Sequence, residues 1–258
     1  MRYRPLGKAG LKVSEVGMGA WQLSGKPWGW DEPDESESRK ALQRFVELGG
    51  NFIDTAWVYG RHDDNAKEGR LAGEEFIGKF LKETGLRNKV IVATKIPGKN
   101  RKWPAWKNIP ISEVFPHDYI IEMTESSLRN LQTDAIDLMQ FHVWQDGFVN
   151  DDGWKKVIQK LTREGKVKYW GLSLNDYQPS NCLKTLDTGL ISTVQCIFNI
   201  FHQKPTEKLL PFVKQNNIYN SLKFSYIFSY FIGNDLNYRL RYFFIFFLEF
   251  CFNNSDPH

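Results

Sequence analysis

Short apolar segments alternate with amphipathic helical segments along the first 217 residues of the chain. The apolar segments have the length of buried strands and lie at residues 16–21, 51–53, 90–94, 136–141, 167–172 and 193–197. A segment with helical spacing of apolar residues follows each of them, and six such units predict a parallel sheet with crossover helices. Because the units are short and regular, they favour a closed barrel, the (β/α)8 or TIM barrel of the α/β class, over an open doubly wound sheet. No GxGxxG motif follows the first strand, which removes the main signal for a Rossmann domain.

The chain changes in character after residue 217. Fourteen of the forty residues from 219 to 258 are Phe or Tyr, and neither strand alternation nor helical periodicity continues. We therefore predict a truncated barrel at residues 1–217, with six recognisable β/α units, and an atypical aromatic-rich tail at residues 218–258 in place of the last two units. The alternative is that residues 223–231 and 241–250 act as substitute strands.

Composition and charge limit the partners and the compartment. The net charge of +4 comes from 34 basic and 30 acidic residues spread along the chain, which does not indicate nucleic acid as a partner. The longest apolar run, residues 242–252, is interrupted by Glu249 and is shorter than the ~20 residues of a membrane span, so no membrane partner is expected. No CxxC pair or zinc-type His spacing is present, so we expect no metal and a cytoplasmic location. The oligomeric state is not predicted.

Polar side chains occur where three of the predicted strands end. Asp54 follows the strand at residues 51–53, with Tyr59 in the next loop; Lys95 follows residues 90–94, and His142 follows residues 136–141. Because the carboxyl ends of the strands form the catalytic face of a (β/α)8 barrel, we expect these four side chains to share one pocket. Each also has a structural explanation on its own: a helix cap, turn packing, a solvated lysine and a core histidine. Their joint spacing favours catalysis.

This constellation resembles that of the aldo-keto reductases, and the resemblance extends from residue 3 to about residue 217. It implies an oxidoreductase that interconverts small aldehydes or ketones with alcohols by hydride transfer, with NADP(H), or alternatively NAD(H), as cofactor. Tyr59 would be the general acid in reduction and the base in oxidation. Free tyrosine, with a pKa near 10, is a poor acid at neutral pH, so Lys95, held by Asp54, would stabilise the phenolate. His142 would orient the substrate oxygen.

The resemblance also implies a cofactor site at the strand ends. The residues that would border the nicotinamide ribose are Gly19, Ala20, Trp21 and Asp54. Ser173 and Gln195 match the family residues that bind the nicotinamide carboxamide. The family has an asparagine directly after this serine, whereas here Leu174 intervenes. Asn175 is therefore the candidate for the role of that cofactor-binding asparagine.

Tryptophans cluster in the loops that follow the strands. They predict an apolar pocket that excludes water and accepts a hydrophobic or aromatic carbonyl compound, with loop packing as the alternative for any single one. The expected pocket residues are Trp21, Trp57, Trp103 and Trp144. Two other functions compete: a catalytically silent barrel that lost its cofactor site with its last strands, and a metal-dependent hydrolase built on Asp54 and His142. The hydrolase hypothesis is weak because no other histidine ends a predicted strand.

Overall fold

A computed structural model describes residues 1–6, 10–24, 35–60, 72–102, 109–174, 178–199, 201–216, 218–223 and 244–246 of the chain. Strands and helices alternate through this part of the chain. The strands are β1 (Tyr3–Leu6), β2 (Leu11–Ser14), β3 (Val16–Gly19), β4 (Phe52–Asp54), β5 (Ile91–Ile96), β6 (Ile136–Phe141), β7 (Val167–Ser173), β8 (Thr193–Ile197), β9 (Tyr219–Lys223) and β10 (Phe244–Phe246). The α-helices are α1 (Glu35–Glu47), α2 (Gly73–Thr84), α3 (Ile111–Val114), α4 (His117–Leu131), α5 (Gly153–Arg163), α6 (Leu183–Asp187) and α7 (Leu209–Gln215).

The strands from β3 to β10 form a closed barrel in the order β10-β3-β4-β5-β6-β7-β8-β9. The neighbours from β3 to β9 pair in parallel, with β6 and β7 matched from Ile136↔Val167 to Phe141↔Leu172. The prediction of an α/β barrel of alternating strands and helices is therefore confirmed. None of the helices in the described ranges is long and apolar enough to cross a membrane.

The last two barrel positions differ from the six predicted units. β9 follows α7 and pairs in parallel with β8, so the β/α alternation continues for one more strand. β10 pairs antiparallel with both β3 and β9, and so occupies the position of an eighth strand with the opposite direction. It falls within residues 241–250, one of the two segments considered as substitute strands, whereas residues 224–231 of the other segment lie outside the described part. The division of the chain into a barrel at residues 1–217 and a tail at residues 218–258 stays a prediction.

A hairpin packs against the amino-terminal end of the barrel. β1 and β2 pair antiparallel from Tyr3↔Ser14 to Leu6↔Leu11, outside the barrel sheet. Their buried Leu6 and Val13 form one cluster with Phe52, Ala93 and Leu138 of the barrel strands. The hairpin thus covers the amino ends of the strands and leaves the carboxyl ends to carry the site.

Alternation along the strands separates an apolar shell from a polar interior. Outward residues such as Ile53, Val92 and Met139 belong to the large core cluster that also contains the buried faces of the helices. Inward residues near the carboxyl ends are polar and buried in five successive strands: Asp54, Lys95, Gln140, Ser173 and Gln195. The register places Lys95 opposite Gln140 and Ser173 opposite Gln195. The fold therefore brings polar side chains that are distant in sequence to one level of the barrel.

Candidate active site

A buried ion pair lies at the centre of the polar level. Lys95 is 0% exposed and Asp54 is 2% exposed. Lys95 Nζ donates to Asp54 Oδ2 at 2.6 Å and to the backbone carbonyl oxygen of Thr55 at 2.7 Å. A lysine is rarely buried unless it is paired, so these acceptors explain why Lys95 can occupy the barrel interior. Lys95 lies within β5 rather than after it, because β5 continues to Ile96.

The second oxygen of Asp54 accepts from two amides. Gln195 Nε2 lies 3.2 Å and Gln140 Nε2 lies 3.4 Å from Asp54 Oδ1. Ser173 Oγ donates to Gln195 Oε1 at 3.1 Å, which orients that amide with its nitrogen towards Asp54. Both oxygens of the Asp54 carboxylate are therefore hydrogen-bonded.

Tyr59 lies beside this ion pair on the loop after β4. The turn is fixed by a hydrogen bond from the backbone N–H of Tyr59 to the carbonyl of Ala56, at 3.1 Å, and by Gly60 with φ of 79°. The phenol ring is 9% exposed, and Lys95 Nζ is 5.2 Å from its centroid. This contact places a cation against the face of the aromatic ring.

His142 directly follows β6, as predicted from its position after the apolar strand. Its backbone N–H donates to the carbonyl of Ile96 at 2.9 Å, which holds it against the end of β5. The imidazole is 7% exposed and meets Tyr59 edge-on, with ring centroids 5.9 Å apart. The four residues Asp54, Tyr59, Lys95 and His142 therefore converge, and their catalytic roles stay a prediction.

The electrostatics of Tyr59 differ from the sequence-based expectation. Burial, and secondly the negative charge of Asp54, raise the pKa of Tyr59 well above its ordinary value, whereas a lowering by Lys95 was expected. The physical reason is that the positive charge of Lys95 is already paired with Asp54, so little of it remains to offset the desolvation of a phenolate. Burial also lowers the pKa of Lys95, and the Asp54 carboxylate opposes that shift.

Several predicted cofactor residues lie near Asp54 or Tyr59. The backbone N–H of Ala20, which follows Gly19 at the end of β3, donates to the carbonyl of Asp54 at 2.8 Å. Trp21 is half-buried, 6.4 Å from the ring of Tyr59. Ser173 and Gln195 are buried polar groups in β7 and β8, as a carboxamide site requires. These polar groups can hydrogen-bond a carboxamide, but their contact with a cofactor stays a prediction, and Asn175 lies outside the described residues.

The predicted pocket tryptophans lie in different parts of the structure. Trp57 Nε1 donates to Ser126 Oγ of α4 at 2.9 Å, and Arg101 stacks over the indole at 5.1 Å. Trp144 is 3% exposed within an aromatic cluster, and its Nε1 donates to Thr185 Oγ1 at 2.9 Å. Trp103 lies outside the described residues. A contact of any of these tryptophans with a substrate stays a prediction.

Sequence reasoning missed Gln140 and the carbonyl of Thr55, although both contact the ion pair. A backbone carbonyl leaves no sequence signal, but Gln140 had one, since it stands inward in a strand that is otherwise mostly apolar. Glu74 was also missed. It is 0% exposed and accepts from Thr94 Oγ1 at 2.6 Å, next to Lys95 in β5.

Comparison with known proteins identifies related sequences. Residues 15–220 match the model of the aldo/keto reductase family. The chain is 32% identical over 218 residues to the aldo-keto reductase YhdN of Bacillus subtilis, covering 84% of this chain and 60% of that protein. It is 33% identical over 178 residues to an aryl-alcohol dehydrogenase [NADP(+)] of Phanerodontia chrysosporium, covering 67% of this chain and 44% of that protein. The chain thus spans 60% or less of the length of these two relatives.

Solved structures show the same likeness. An aldo-keto reductase of Bacillus halodurans in its holo form superimposes with a TM-score of 0.66 at 29% identity, covering 86% of this chain and 65% of that one. A glycerol dehydrogenase of Gluconobacter oxydans gives a TM-score of 0.63 at 28% identity, covering 86% of this chain and 62% of that one. Taken with the match to the family model over residues 15–220, the polar cluster and the barrel identify the chain as a member of the aldo-keto reductase family.

Proposed function

We propose that this protein reduces an aldehyde or ketone to an alcohol, reversibly, with Tyr59 as the general acid. The observation that carries the proposal is the buried Asp54–Lys95 pair beneath the ring of Tyr59, with the imidazole of His142 steeply inclined to that ring at a centroid distance of 5.9 Å. Ion pairs with 0% and 2% exposed side chains are costly to desolvate, so a catalytic use explains this one better than stability does.

The cofactor proposed is NADP(H), with NAD(H) as the alternative. Support for NADP(H) comes from the relative whose name includes NADP(+). The buried polar groups of Ser173 and Gln195 beside Asp54 support a nicotinamide cofactor of either kind. When bound, the cofactor supplies or accepts the hydride. Ser173 and Gln195 would hold its carboxamide, and Gly19, Ala20, Trp21 and Asp54 would border its ribose.

Tyr59 would donate the proton to the substrate oxygen in reduction. The phenol is protonated at neutral pH, so the donor form is the one present, and its raised pKa makes it a weaker acid than free tyrosine. Loss of the proton creates a buried phenolate. Lys95 Nζ, 5.2 Å from the ring centroid, is the cation beside it, and its pairing with Asp54 limits the stabilisation that it provides. Because Asp54 and Thr55 already fix Lys95, this stabilisation needs little reorganisation during the reaction.

His142 would orient the substrate. Its imidazole edge meets the ring of Tyr59, so a carbonyl oxygen that accepts from the phenol can also accept from the imidazole. The low exposure of both side chains excludes water from this point, which strengthens each hydrogen bond to the reacting oxygen. Trp21 is the described tryptophan placed beside Tyr59 to line the apolar part of the pocket.

We further propose a small-molecule carbonyl substrate, no nucleic-acid or membrane partner, and a location in the cytoplasm. The two described cysteines support a reducing compartment, since Cys182 and Cys196 are buried free thiols. The charge distribution along the chain supports the absence of nucleic acid, since basic residues are not clustered.

Consumption of NADPH at 340 nm with an aromatic aldehyde tests the proposed function. We expect turnover by the wild-type chain, and a loss of roughly a hundredfold or more with Tyr59→Phe, the range attributed to a positioned acid. Tyr3→Phe is the matched control, because Tyr3 is 40% exposed at the other end of the barrel, and it should keep wild-type turnover. Equal rates for Tyr59→Phe and wild type would contradict the proposal.

A catalytically silent barrel is the second candidate. The observation that favours it is that β10 runs antiparallel where an eighth parallel strand would stand, next to β3. A folded wild-type chain that neither changes NADPH fluorescence nor consumes NADPH would support the silent form. Cofactor binding without turnover would locate the defect in the substrate pocket or in the acid.

A further inference from the structure

Gln140 is a buried amide that the proposed mechanism does not yet use. It is 1% exposed, lies inward on β6 opposite Lys95 and Gly171, and directs Nε2 to Asp54 Oδ1 at 3.4 Å. That distance is long for a hydrogen bond, but the acceptor is an ionised carboxylate in a site removed from water. An amide in this interior needs a partner, because an unsatisfied buried polar group is costly.

The neighbouring strand makes room for Gln140. A Cβ added to Gly171 would stand 3.1 Å from Gln140 Cγ and would clash with Thr193 Oγ1. Any larger residue in this position of β7 would push the glutamine side chain or the threonine hydroxyl aside. Because Gly171 has no side chain, β7 leaves space for the long side chain of Gln140.

We propose that Gln140 is a positioning residue that, together with Gln195, satisfies Asp54 Oδ1 and so keeps Asp54 Oδ2 directed at Lys95. The positioning role in catalysis rests on the proposed function, whereas the shared hydrogen bonding does not. Gln195 is also the residue proposed to bind the cofactor carboxamide. A ligand that draws its amide away from Asp54 leaves Gln140 as the remaining donor to Oδ1, so Gln140 lets the cofactor use Gln195 without leaving a buried carboxylate oxygen unsatisfied.

The sign of the effect on Tyr59 follows from the charges around it. The titratable groups that face Tyr59 from the described elements are Asp54 of β4, Lys95 of β5 and His142 after β6. Removing the amide of Gln140 leaves the charge of Asp54 less compensated. Because that charge already raises the pKa of Tyr59, the pKa rises further in the variant.

A double-mutant cycle on the cofactor-free full-length chain tests the shared role. Gln140→Met and Gln195→Met each remove one donor while keeping volume, and the double variant removes both. We expect each single change to leave Asp54 Oδ1 with one donor, and the double change to lower the folding equilibrium constant by roughly tenfold beyond the product of the two single effects. Gln43→Met on the surface of α1 is the control, and it should leave the equilibrium constant nearly unchanged.

The pH dependence of alcohol oxidation gives a second readout that simple packing would not move. Because oxidation needs Tyr59 as a base, its rate rises with pH as Tyr59 loses its proton, and we expect this rising limb to shift to higher pH by about 0.5 to 1 unit in Gln140→Met. If Gln140→Met does not fold, Gln140→Glu keeps the shape and puts a second carboxylate beside Asp54. Its added carboxyl has a folded-state pKa raised by that neighbour, so the variant should be destabilised at pH 8 and recover as the pH falls to 5.

Two results would together overturn the role of Gln140. The first is additive stability effects in the double-mutant cycle. The second is either an unshifted pH profile of Gln140→Met or a Gln140→Glu variant that is as stable at pH 8 as at pH 5. These results are distinct from failure of the proposed function. A wild-type chain that does not oxidise alcohol removes the reductase proposal, while the cycle on the cofactor-free chain still decides whether the two amides share Asp54.

Discussion

Replacing Lys95 by Met should unfold the chain more easily, although methionine is the more apolar side chain. The substitution removes the partner of a carboxylate that is 2% exposed and leaves the carbonyl of Thr55 without its donor. Breaking a buried ion pair from one side costs about 3–5 kcal/mol. Since the amides of Gln140 and Gln195 still donate to Asp54, we expect the lower end of that range, about 3 kcal/mol.

Adding Asp54→Asn to Lys95→Met should restore much of this loss. The neutral amide keeps an oxygen for Gln140 and Gln195 and no longer places an uncompensated charge in the barrel. Asp54→Asn alone leaves the Lys95 ammonium without its counter-ion and should cost about 3 kcal/mol as well. The double variant should lie within about 2 kcal/mol of the wild type, so that the coupling between the two positions is at least about 4 kcal/mol.

Urea unfolding at pH 7 measures these free energies, with the m-value as a check that the same surface is exposed in every variant. Lys166→Met is a control, because Lys166 pairs with Glu125 and Glu164 at the surface and its loss should change stability little. Additive effects of Lys95→Met and Asp54→Asn would refute the reasoning, since two independent sites show no coupling. Neither variant should reduce aldehyde, whatever its stability.

Three further changes have expected outcomes. The pKa of Tyr59 in the folded chain is raised above about 10, its pKa in an unfolded chain. Its contribution to stability is therefore fully present below about pH 10 and is lost as the pH rises through the folded-state pKa. Tyr59→Phe should abolish this loss, measured by urea unfolding above pH 10. Gly171→Ala should cost about 1–3 kcal/mol through the clash with Thr193, whereas Gly147→Ala, with open space around its Cβ, should be nearly neutral in the same assay. Trp144→Phe should lower the thermal midpoint without changing KM for aromatic aldehydes, as a core position predicts; a changed KM at unchanged stability would support a pocket role instead.

The part of the site that lies at the carboxyl ends of the strands could be predicted from the sequence. Asp54 and His142 stand at or directly after an apolar strand, and parallel strands in a barrel bring their carboxyl ends together whatever their separation in sequence. The convergence of Asp54, Lys95, Tyr59 and His142 follows from this geometry. Ser173 and Gln195 were expected from the family resemblance, and strand alternation explains why both point inward from β7 and β8.

Other features depend on interactions that a single sequence does not display. β9 reads Tyr-Asn-Ser-Leu-Lys, without the apolar run of the other strands, so its pairing with β8 could not be read from local pattern. The raised pKa of Tyr59 results from the balance between burial, Asp54 and a lysine already neutralised by its partner. Trp144 looked like a loop residue beside His142, but it packs with Phe141 and Trp154 in the core.

Isotope transfer tests the central claim most directly. The full-length chain is incubated with an aromatic aldehyde and NADPH deuterated at the transferable position of the nicotinamide, and the alcohol product is analysed by mass spectrometry. We predict one deuterium at the carbinol carbon of the product with the wild-type chain, and about a hundredth of that amount of labelled alcohol or less with Tyr59→Phe over the same period. Folded wild-type protein that yields no labelled alcohol, or Tyr59→Phe protein that yields as much as the wild type, would contradict a hydride-transfer site built around Tyr59.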